Sequence, residues 1–187
     1  GISGDQQVGN AWIGVKTHAS LWSGTAASWV DLHPAGAYAS YASGVSGNQQ
    51  VGIVTLVWGE LGHAGLWSGS AASWVDLNPA GAPGSYGYGV SGGQQVGVAW
   101  VGDYLHASLW SGTAASWVDL HPAGATGHSF AYGVDGGQQV GNAYVGGVYR
   151  ASLWSGTAAS WVDLHPAGAT SSDTHGVFDG QQAGAAD

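Results

Sequence analysis

The chain has 187 residues, of which 35 are glycine, 11 are tryptophan and 44 % are hydrophobic, a composition that excludes a disordered polypeptide. Two basic residues against eleven acidic ones give a net charge of −9, so the chain lacks the basic patch that nucleic acids and anionic membranes require. There is no cysteine, which excludes disulfides, thiolate nucleophiles and zinc–thiolate sites. No apolar run approaches the roughly 18 residues of a membrane span. We therefore expect a packed domain with no nucleic-acid partner and no membrane insertion.

A block reading SLWSGTAASWVDLHPAGA, or a close variant of it, occurs four times, starting at Ser20, Gly65, Ser108 and Ser152. Its first tryptophan recurs at steps of 45, 43 and 44 residues, and a Gln-Gln pair occurs five times. Self-similarity at this period indicates a single domain built from repeats. The predicted units are residues 1–43, 44–88, 89–132 and 133–175, while residues 176–187 repeat the start of the first unit.

Each unit is cut by turn residues into four strand-sized segments. In the third unit these segments are Ser85–Val90, Gln94–Val101, His106–Trp110 and Ser116–Leu120. The Gly-Asn, Gly-Gly and Asp-Gly pairs before the glutamines are typical of two-residue hairpin turns. Glycine or proline interrupts every window long enough for an α-helix. The sequence therefore predicts an all-β fold in which consecutive strands are antiparallel.

Four antiparallel strands in each repeat of about 44 residues predict a small β-propeller of four blades. The first unit lacks its own first strand, and we expect Thr170–Val177 to supply it and so close the ring. Gln181–Asp187 would then be a surplus tail. The favoured assembly is a closed monomer; the alternatives are a ring shared by two chains and a fragment of a longer array.

The segments Gly-Gln-Gln-Val-Gly, His-Ala-Ser-Leu-Trp and Val-Asp-Leu resemble the HAF repeat of bacterial extracellular and surface proteins. His18, His63 and His106 stand at the repeat's histidine, and Arg150 replaces it in the last unit. The sequence departs from the pattern where serine or glycine follows the alanine, since the repeat has phenylalanine there. The resemblance implies secretion or surface display, and it implies no catalytic residues.

The tryptophans fall into three groups. We expect the first tryptophan of each block to fill the space between blades, and we expect the same place for the second. The first group is Trp22, Trp67, Trp110 and Trp154, and the second is Trp29, Trp74, Trp117 and Trp161. The remaining aromatic positions lie at the end of the second strand, where the units differ most. Loops on a rigid scaffold diverge when they carry a binding site, so we predict a ligand site there. Its candidate residues are Trp12, Lys16, Trp58, Glu60, Trp100, Asp103, Tyr144 and Arg150. The alternative is that these charges only keep the hairpin tips soluble.

Two further sets of side chains have a functional and a structural interpretation. His33, His121 and His165 form a metal site if their turns converge, although hydrogen bonding within their own turns is the simpler interpretation. The Asp31, Asp76, Asp119 and Asp163 series is typical of carboxylates that accept backbone N–H groups in a turn. Calcium at the Asp5, Asp135 and Asp179 turns stays open.

The sequence contains no motif of a known catalytic class, and the only glutamate has no recurrent partner. We therefore expect a protein that is not an enzyme and that needs no cofactor or metal. The predicted function is an extracellular binding or display module, most concretely a multivalent, lectin-like propeller whose partner is a glycan or a surface protein. The alternative is a structural repeat scaffold, natural or symmetrised by design, that mediates protein contacts.

Overall fold

The computed structural model describes residues 1–187 and shows four antiparallel sheets of four strands and a fifth sheet of two. The first sheet contains β1 (Ile2–Ser3), β2 (Gln6–Ile13), β3 (Lys16–Trp22) and β4 (Val30–Asp31). The second contains β5 (Ala39–Ser46), β6 (Gln49–Thr55), β7 (His63–Trp67) and β8 (Val75–Asp76). The third contains β9 (Ser85–Ser91), β10 (Gln94–Val101), β11 (Tyr104–Trp110) and β12 (Val118–Asp119). The fourth contains β13 (Ser129–Asp135), β14 (Gln138–Val145), β15 (Val148–Trp154) and β16 (Val162–Asp163), and the fifth β17 (Ser172–Phe178) and β18 (Gln181–Ala186).

Within each sheet the strands follow one another in chain order, as the turn residues predict. Gly92 and Gly93, between β9 and β10, both have positive φ, at 57° and 80°. A two-residue turn of that kind twists with the flanking strands and fixes their register. The predicted all-β fold and its meander of antiparallel strands are therefore confirmed.

The fourth strand of each large sheet is only two residues long and follows a short 3-10 helix that the sequence did not predict. In the third sheet this helix is Ala114–Ser116. The Ser116 hydroxyl donates to the Thr113 carbonyl at 2.6 Å and accepts the Ser111 N–H at 2.8 Å. The local hydrogen bonds of this serine compete with strand pairing and shorten the strand. All four helices have three residues, and no helix is long and apolar enough to cross a membrane.

The hydrophobic core lies between neighbouring sheets, which pack face to face. The leucine after the fourth strand of one sheet packs in the same cluster as the tryptophan that ends the third strand of the next sheet. Leu77 shares a cluster with Trp110, and Leu120 shares one with Trp154. Trp67, Trp110 and Trp154 are fully buried, which confirms their predicted place between the sheets. Trp22 is only partly buried, because no sheet packs against that side of the first sheet.

The first strands of all five sheets border one axial cavity of about 390 Å³. Neighbouring first strands approach closely through a glycine of each. A Cβ atom built on Gly44 would lie 2.8 Å from the Tyr88 carbonyl oxygen, and one on Gly89 would lie 2.7 Å from that of Tyr132. Only glycine permits this separation, so the glycines set the distance between sheets at the axis.

The predicted closure of the first sheet by Thr170–Val177 is wrong. β17 pairs with β18, while β2 pairs with its own short first strand β1. Asp179 and Gly180, with φ of 48° and 74°, form the turn between β17 and β18. A partner two residues away costs far less loop-closure entropy than one at the other end of the chain. Gln181–Ala186 is thus a strand and not a surplus tail.

The fifth sheet does not contact the first sheet as the other sheets contact one another. A Cβ atom on Gly133 would lie 2.8 Å from the His175 carbonyl, whereas one on Gly176 would meet no atom within 4 Å. The structure is therefore an open series of four complete sheets and one half-sheet around an axis.

Candidate functional site

The eight predicted ligand residues belong to four different units, two in each, and lie at or near the connection between the second and third strands. They are Trp12 and Lys16, Trp58 and Glu60, Trp100 and Asp103, and Tyr144 and Arg150. The structure therefore does not gather them into one site, and each pair has its own surroundings.

The two basic candidates are held by the protein itself. The Lys16 ammonium donates to the Ala37 carbonyl oxygen at 2.9 Å. The Arg150 guanidinium forms an ion pair with Asp163, with Nη1 to Oδ2 at 2.8 Å, and its Nε donates to the Val145 carbonyl. These contacts assign both cations a structural role.

The two acidic candidates differ from the basic ones. Glu60 and Asp103 are exposed, and neither carboxylate accepts a hydrogen bond from the protein or forms an ion pair. Both are therefore free to accept hydrogen bonds from a ligand.

Three of the four aromatic candidates lie outside any cleft. Trp12 is 75 % exposed. Trp58 is also 75 % exposed and follows β6 in a loop, where its ring lies 5.0 Å from that of Tyr38. Tyr144 packs against Tyr149, with ring centroids 5.2 Å apart.

Trp100 differs, because it lines a cleft between the second and third sheets. The walls are Trp100 at the end of β10, Trp117 before β12 and the turn of residues 79–83 that leaves the second sheet; the cleft measures about 260 Å³. The Ala82 N–H donates to the Pro79 carbonyl oxygen at 3.0 Å, and the Asn78 amide donates to the Ala82 carbonyl oxygen at 2.8 Å. These bonds hold the turn rigid opposite the two indoles.

His128 supports Trp100 from the fourth sheet's side. Its ring lies edge-on to Trp100 at 6.0 Å and to Tyr104 at 5.6 Å. The Leu105 N–H donates to Nδ1 of His128 at 2.9 Å, so that nitrogen carries no proton. His128 was not predicted from the sequence, although the segment between β12 and β13 is one residue longer than its counterpart before β9.

The repeated aspartates have the predicted structural role. Asp31 Oδ1 accepts the His33 N–H at 2.8 Å, and its Oδ2 lies 2.8 Å from His18 Nδ1. Equivalent N–H bonds are made by Asp76, Asp119 and Asp163. Burial alone would raise the pKa of Asp119, but its hydrogen bonds with His106 and with the backbone of His121 lower it below the usual range.

Two pairs of imidazole rings are stacked beside these aspartates. His18 and His33 lie 3.9 Å apart and nearly parallel, and His106 and His121 lie 3.8 Å apart. Burial, followed by repulsion from the stacked partner, lowers the pKa of His33 and of His121. Asp31 opposes this shift at His33 and Asp119 opposes it at His121, while the Lys16 charge adds to it at His33.

The serine, histidine and aspartate of each unit do not form a catalytic relay. His33 places Nδ1 on Ser40 at 2.8 Å, but its Nε2 donates to the Ala37 carbonyl oxygen and not to a carboxylate. The Ser40 hydroxyl is fully buried and accepts the Ala19 N–H. A nucleophilic serine needs an accessible oxygen and a base oriented by an acid, and this arrangement has neither.

The candidate metal residues also bond within the protein. His121 and His165 each bond a serine of the following strand, at 2.8 Å and 2.7 Å, and no group of three histidine, aspartate or glutamate side chains is arranged to hold a metal ion. Asp135, one of the three turn aspartates, accepts the Ser91 hydroxyl and the Asp179 N–H and so links neighbouring hairpin turns. The predicted hydrogen bonding within the turn is confirmed for His33 and His165, whose Nε2 atoms bond the carbonyl oxygens of Ala37 and Ala169.

Comparison of the chain with models of known protein families gives no match, and comparison with curated proteins finds no similar sequence. The resemblance to HAF repeats, and with it the location outside the cell, therefore stays a prediction.

Proposed function

We propose that this chain is a noncatalytic binding module whose cleft beside Trp100 recognises a glycan. The observation that carries this proposal is the pairing of Trp100 and Trp117 across a rigid turn. Indole faces stack on the apolar faces of sugar rings, and a cleft lined by aromatic groups and a few polar ones is typical of small-ligand sites.

The polar groups around the cleft suit sugar hydroxyls. Gly102 lines the cleft, and the following residue, Asp103, presents a carboxylate that has no partner in the protein. The turn of residues 79–83 forms the opposite wall. A carboxylate with spare lone pairs accepts hydrogen bonds from the hydroxyls of a bound ring.

The proposal includes an architecture of the propeller type. Its support is that the first strands of five successive sheets border one axial cavity, and that the first four sheets pack each on the next through the same leucine and tryptophan positions. Of the four aromatic positions only Trp100 lines a cleft, so the proposed recognition uses one site in this chain, and the predicted multivalent surface is not part of the proposal.

The test is a titration of tryptophan fluorescence with neutral, acidic and amino sugars. We expect millimolar binding that Trp100→Ala weakens about tenfold or more, corresponding to the roughly 1.4 kcal/mol that separates tenfold affinities. Trp12→Ala is the matched control, because Trp12 has the same place in its unit but lies in no cleft. Absence of any response at tens of millimolar sugar, or a response that survives Trp100→Ala, contradicts the proposal.

A structural scaffold is the second candidate, and one observation favours it. Many of the polar candidate side chains form their hydrogen bonds or ion pairs within the protein. They are Lys16, Arg150 and the repeated Asp31 and His33 positions. A scaffold that mediates protein contacts needs no accessible polar site. It predicts that no sugar perturbs the fluorescence.

A further inference from the structure

We propose that the Trp100 cleft selects a cationic amino sugar, whose ammonium group is accepted by the Asp103 carboxylate and the Ala82 carbonyl oxygen. This selectivity rests on the proposed function, because it specifies which sugar the same cleft takes. Three properties of the cleft support it. The cleft offers no side-chain hydrogen-bond donor, the free charge beside it is negative, and one of its carbonyls corresponds to a carbonyl that binds an ammonium elsewhere in the molecule.

The first property is the lack of side-chain donors. Apart from the two tryptophans, the cleft is lined only by proline, alanine, glycine and valine. Trp117 Nε1 donates to Ser108 Oγ at 2.9 Å, and Trp100 Nε1 is buried. The Ala82 N–H donates to the Pro79 carbonyl oxygen. Because a carboxylate that leaves water without gaining donors is destabilised, the cleft disfavours acidic sugars.

The second property is the sign of the free charge. Asp103 follows the lining residue Gly102 in the turn between β10 and β11, and its carboxylate is exposed and has no partner in the protein. The two basic side chains, Lys16 and Arg150, belong to the first and fourth units, where carbonyl and carboxylate groups of the protein hold them. A cation at the cleft is therefore attracted by a carboxylate and also by the indole faces.

Two histidine positions close to the cleft carry no competing positive charge. His128, beside Trp100, accepts the Leu105 N–H at Nδ1, whereas a protonated imidazole has to donate from that atom. The turn opposite Trp100 begins with Asn78, where the other three units have a histidine. The wall that this turn forms is therefore uncharged.

The third property is a carbonyl whose counterpart already binds an ammonium. In the first unit the Ala37 carbonyl oxygen accepts two donors, His33 Nε2 at 3.1 Å and the Lys16 ammonium at 2.9 Å. Ala82 is the corresponding residue of the second unit, and its carbonyl accepts only the Asn78 amide, at 2.8 Å. A leucine stands there in place of the lysine. Since a carbonyl oxygen has two lone pairs, that of Ala82 keeps one acceptor site for the ammonium of a ligand.

The experiment titrates the full chain with four sugars of similar size that differ in charge: glucosamine, glucose, N-acetylglucosamine and glucuronic acid. Tryptophan fluorescence is followed at about pH 6.5, where an amine with an ordinary pKa of about 8 is protonated. Glucosamine should bind about fivefold or more tightly than glucose and N-acetylglucosamine. Glucuronic acid should bind more weakly than glucose. Added salt should narrow these differences, because it screens the attraction between the ammonium and the carboxylate.

Two matched variants separate the local charge from the net charge. Asp103→Asn keeps the size of the side chain and should bring the affinity for glucosamine to within about twofold of that for glucose. Asp5→Asn removes the same charge from an exposed aspartate in the turn between β1 and β2 of the first unit. That turn does not line the cleft, so this variant should keep the preference.

Each outcome bears on the selectivity or on the proposed function beneath it. Binding that Trp100→Ala weakens, but that is equal for glucosamine and glucose or strongest for glucuronic acid, overturns the selectivity and leaves the proposed function intact. A preference that survives Asp103→Asn, or that Asp5→Asn abolishes equally, overturns it as well, since the net charge then attracts the amine. Absence of a response to all four sugars contradicts the proposed function and the selectivity together.

Discussion

The first and third sheets carry the same block, Ser-Leu-Trp-Ser-Gly-Thr-Ala-Ala-Ser-Trp-Val-Asp-Leu-His, yet their side chains have different surroundings. Trp110 is fully buried, whereas Trp22 is only partly buried. Trp12 is 75 % exposed, whereas Trp100 lines a cleft. The third sheet has a neighbour on each face and the first has one. In this molecule the adjacent sheet, and not the local sequence, decides whether a tryptophan belongs to the core, to a site or to the surface.

The largest effect on stability is expected when the equivalent tryptophans of the two sheets, Trp110 and Trp22, are each replaced by alanine. Trp110→Ala should lower the free energy of unfolding by about 3 to 5 kcal/mol, because it opens a cavity in a fully packed interface. Trp22→Ala should cost less than half as much, since its ring already contacts solvent. Urea denaturation followed by circular dichroism measures both. Equal losses would contradict the assignment of burial to the neighbouring sheet.

A second test uses the stacked histidines that the first and third sheets share. The pKa of His33 and of His121 is lowered in the folded protein, so the unfolded chain binds more protons as the pH falls through the ordinary histidine range. The two histidines therefore do not reduce the free energy of unfolding above about pH 6.5. Below that pH they reduce it progressively, until the pH reaches their lowered pKa values.

The second sheet supplies the control, because Asn78 stands where the other two have these histidines. The double variant His33→Asn, His121→Asn should lose less stability between pH 7 and pH 5 than the wild-type chain, as measured by the thermal midpoint at each pH. A variant with the same pH dependence as the wild type would show that the stacked pairs do not titrate in this way.

The smallest effect on stability is expected at Gly65, which stands in the second sheet where the first and third sheets have a serine. Trp29 and Trp117 donate from Nε1 to Ser20 and Ser108, but Gly65 occupies that position in the second sheet and Trp74 Nε1 is buried without a partner. Gly65→Ser should raise the free energy of unfolding by about 1 kcal/mol, because it supplies the missing acceptor.

The new Cβ would lie 2.7 Å from Trp74 Nε1 and 3.1 Å from the Trp67 ring, so the Trp74 indole must shift by a few tenths of an ångström. Gly65→Ala adds the same carbon without the hydroxyl and should gain nothing in a thermal melt. A stabilisation by alanine as large as that by serine would mean that chain entropy, and not the hydrogen bond, accounts for the gain.

The strands and hairpins could be predicted from the sequence because their signals are local. Turn pairs such as Gly92-Gly93 and the repeated tryptophans fix strand order and spacing within about 45 residues. The partner of β17 could not be predicted from the repeat, since Gln181–Ala186 and Gln6–Ala11 carry nearly the same pairing sequence and only the short Asp179-Gly180 turn decides between them.

The candidate site shows the same division. Position within the unit predicts that Trp100 lies at the tip of a hairpin, but the cleft also needs residues 79–83 of the preceding unit and His128 of the following one. Lys16 and Arg150 were expected to face a ligand, and carbonyl and carboxylate groups of the protein hold them instead. Contacts between units do not follow from the spacing within one unit.

The close contacts between glycine and the neighbouring backbone lie at the axis, whereas the candidate binding residues lie in the outer hairpins. Gly1, Gly44, Gly89 and Gly133 each approach the carbonyl of the next sheet to the same extent, with Cβ separations of 2.7 to 2.8 Å. The spacing of neighbouring sheets at the axis is therefore set by main-chain atoms, and substitutions at positions other than these glycines leave those contacts in place. The outer hairpins can accumulate insertions and replacements while the curvature of the series stays constant. In a repeat of this kind, one unit can acquire a new binding preference while the packing of the other units stays the same.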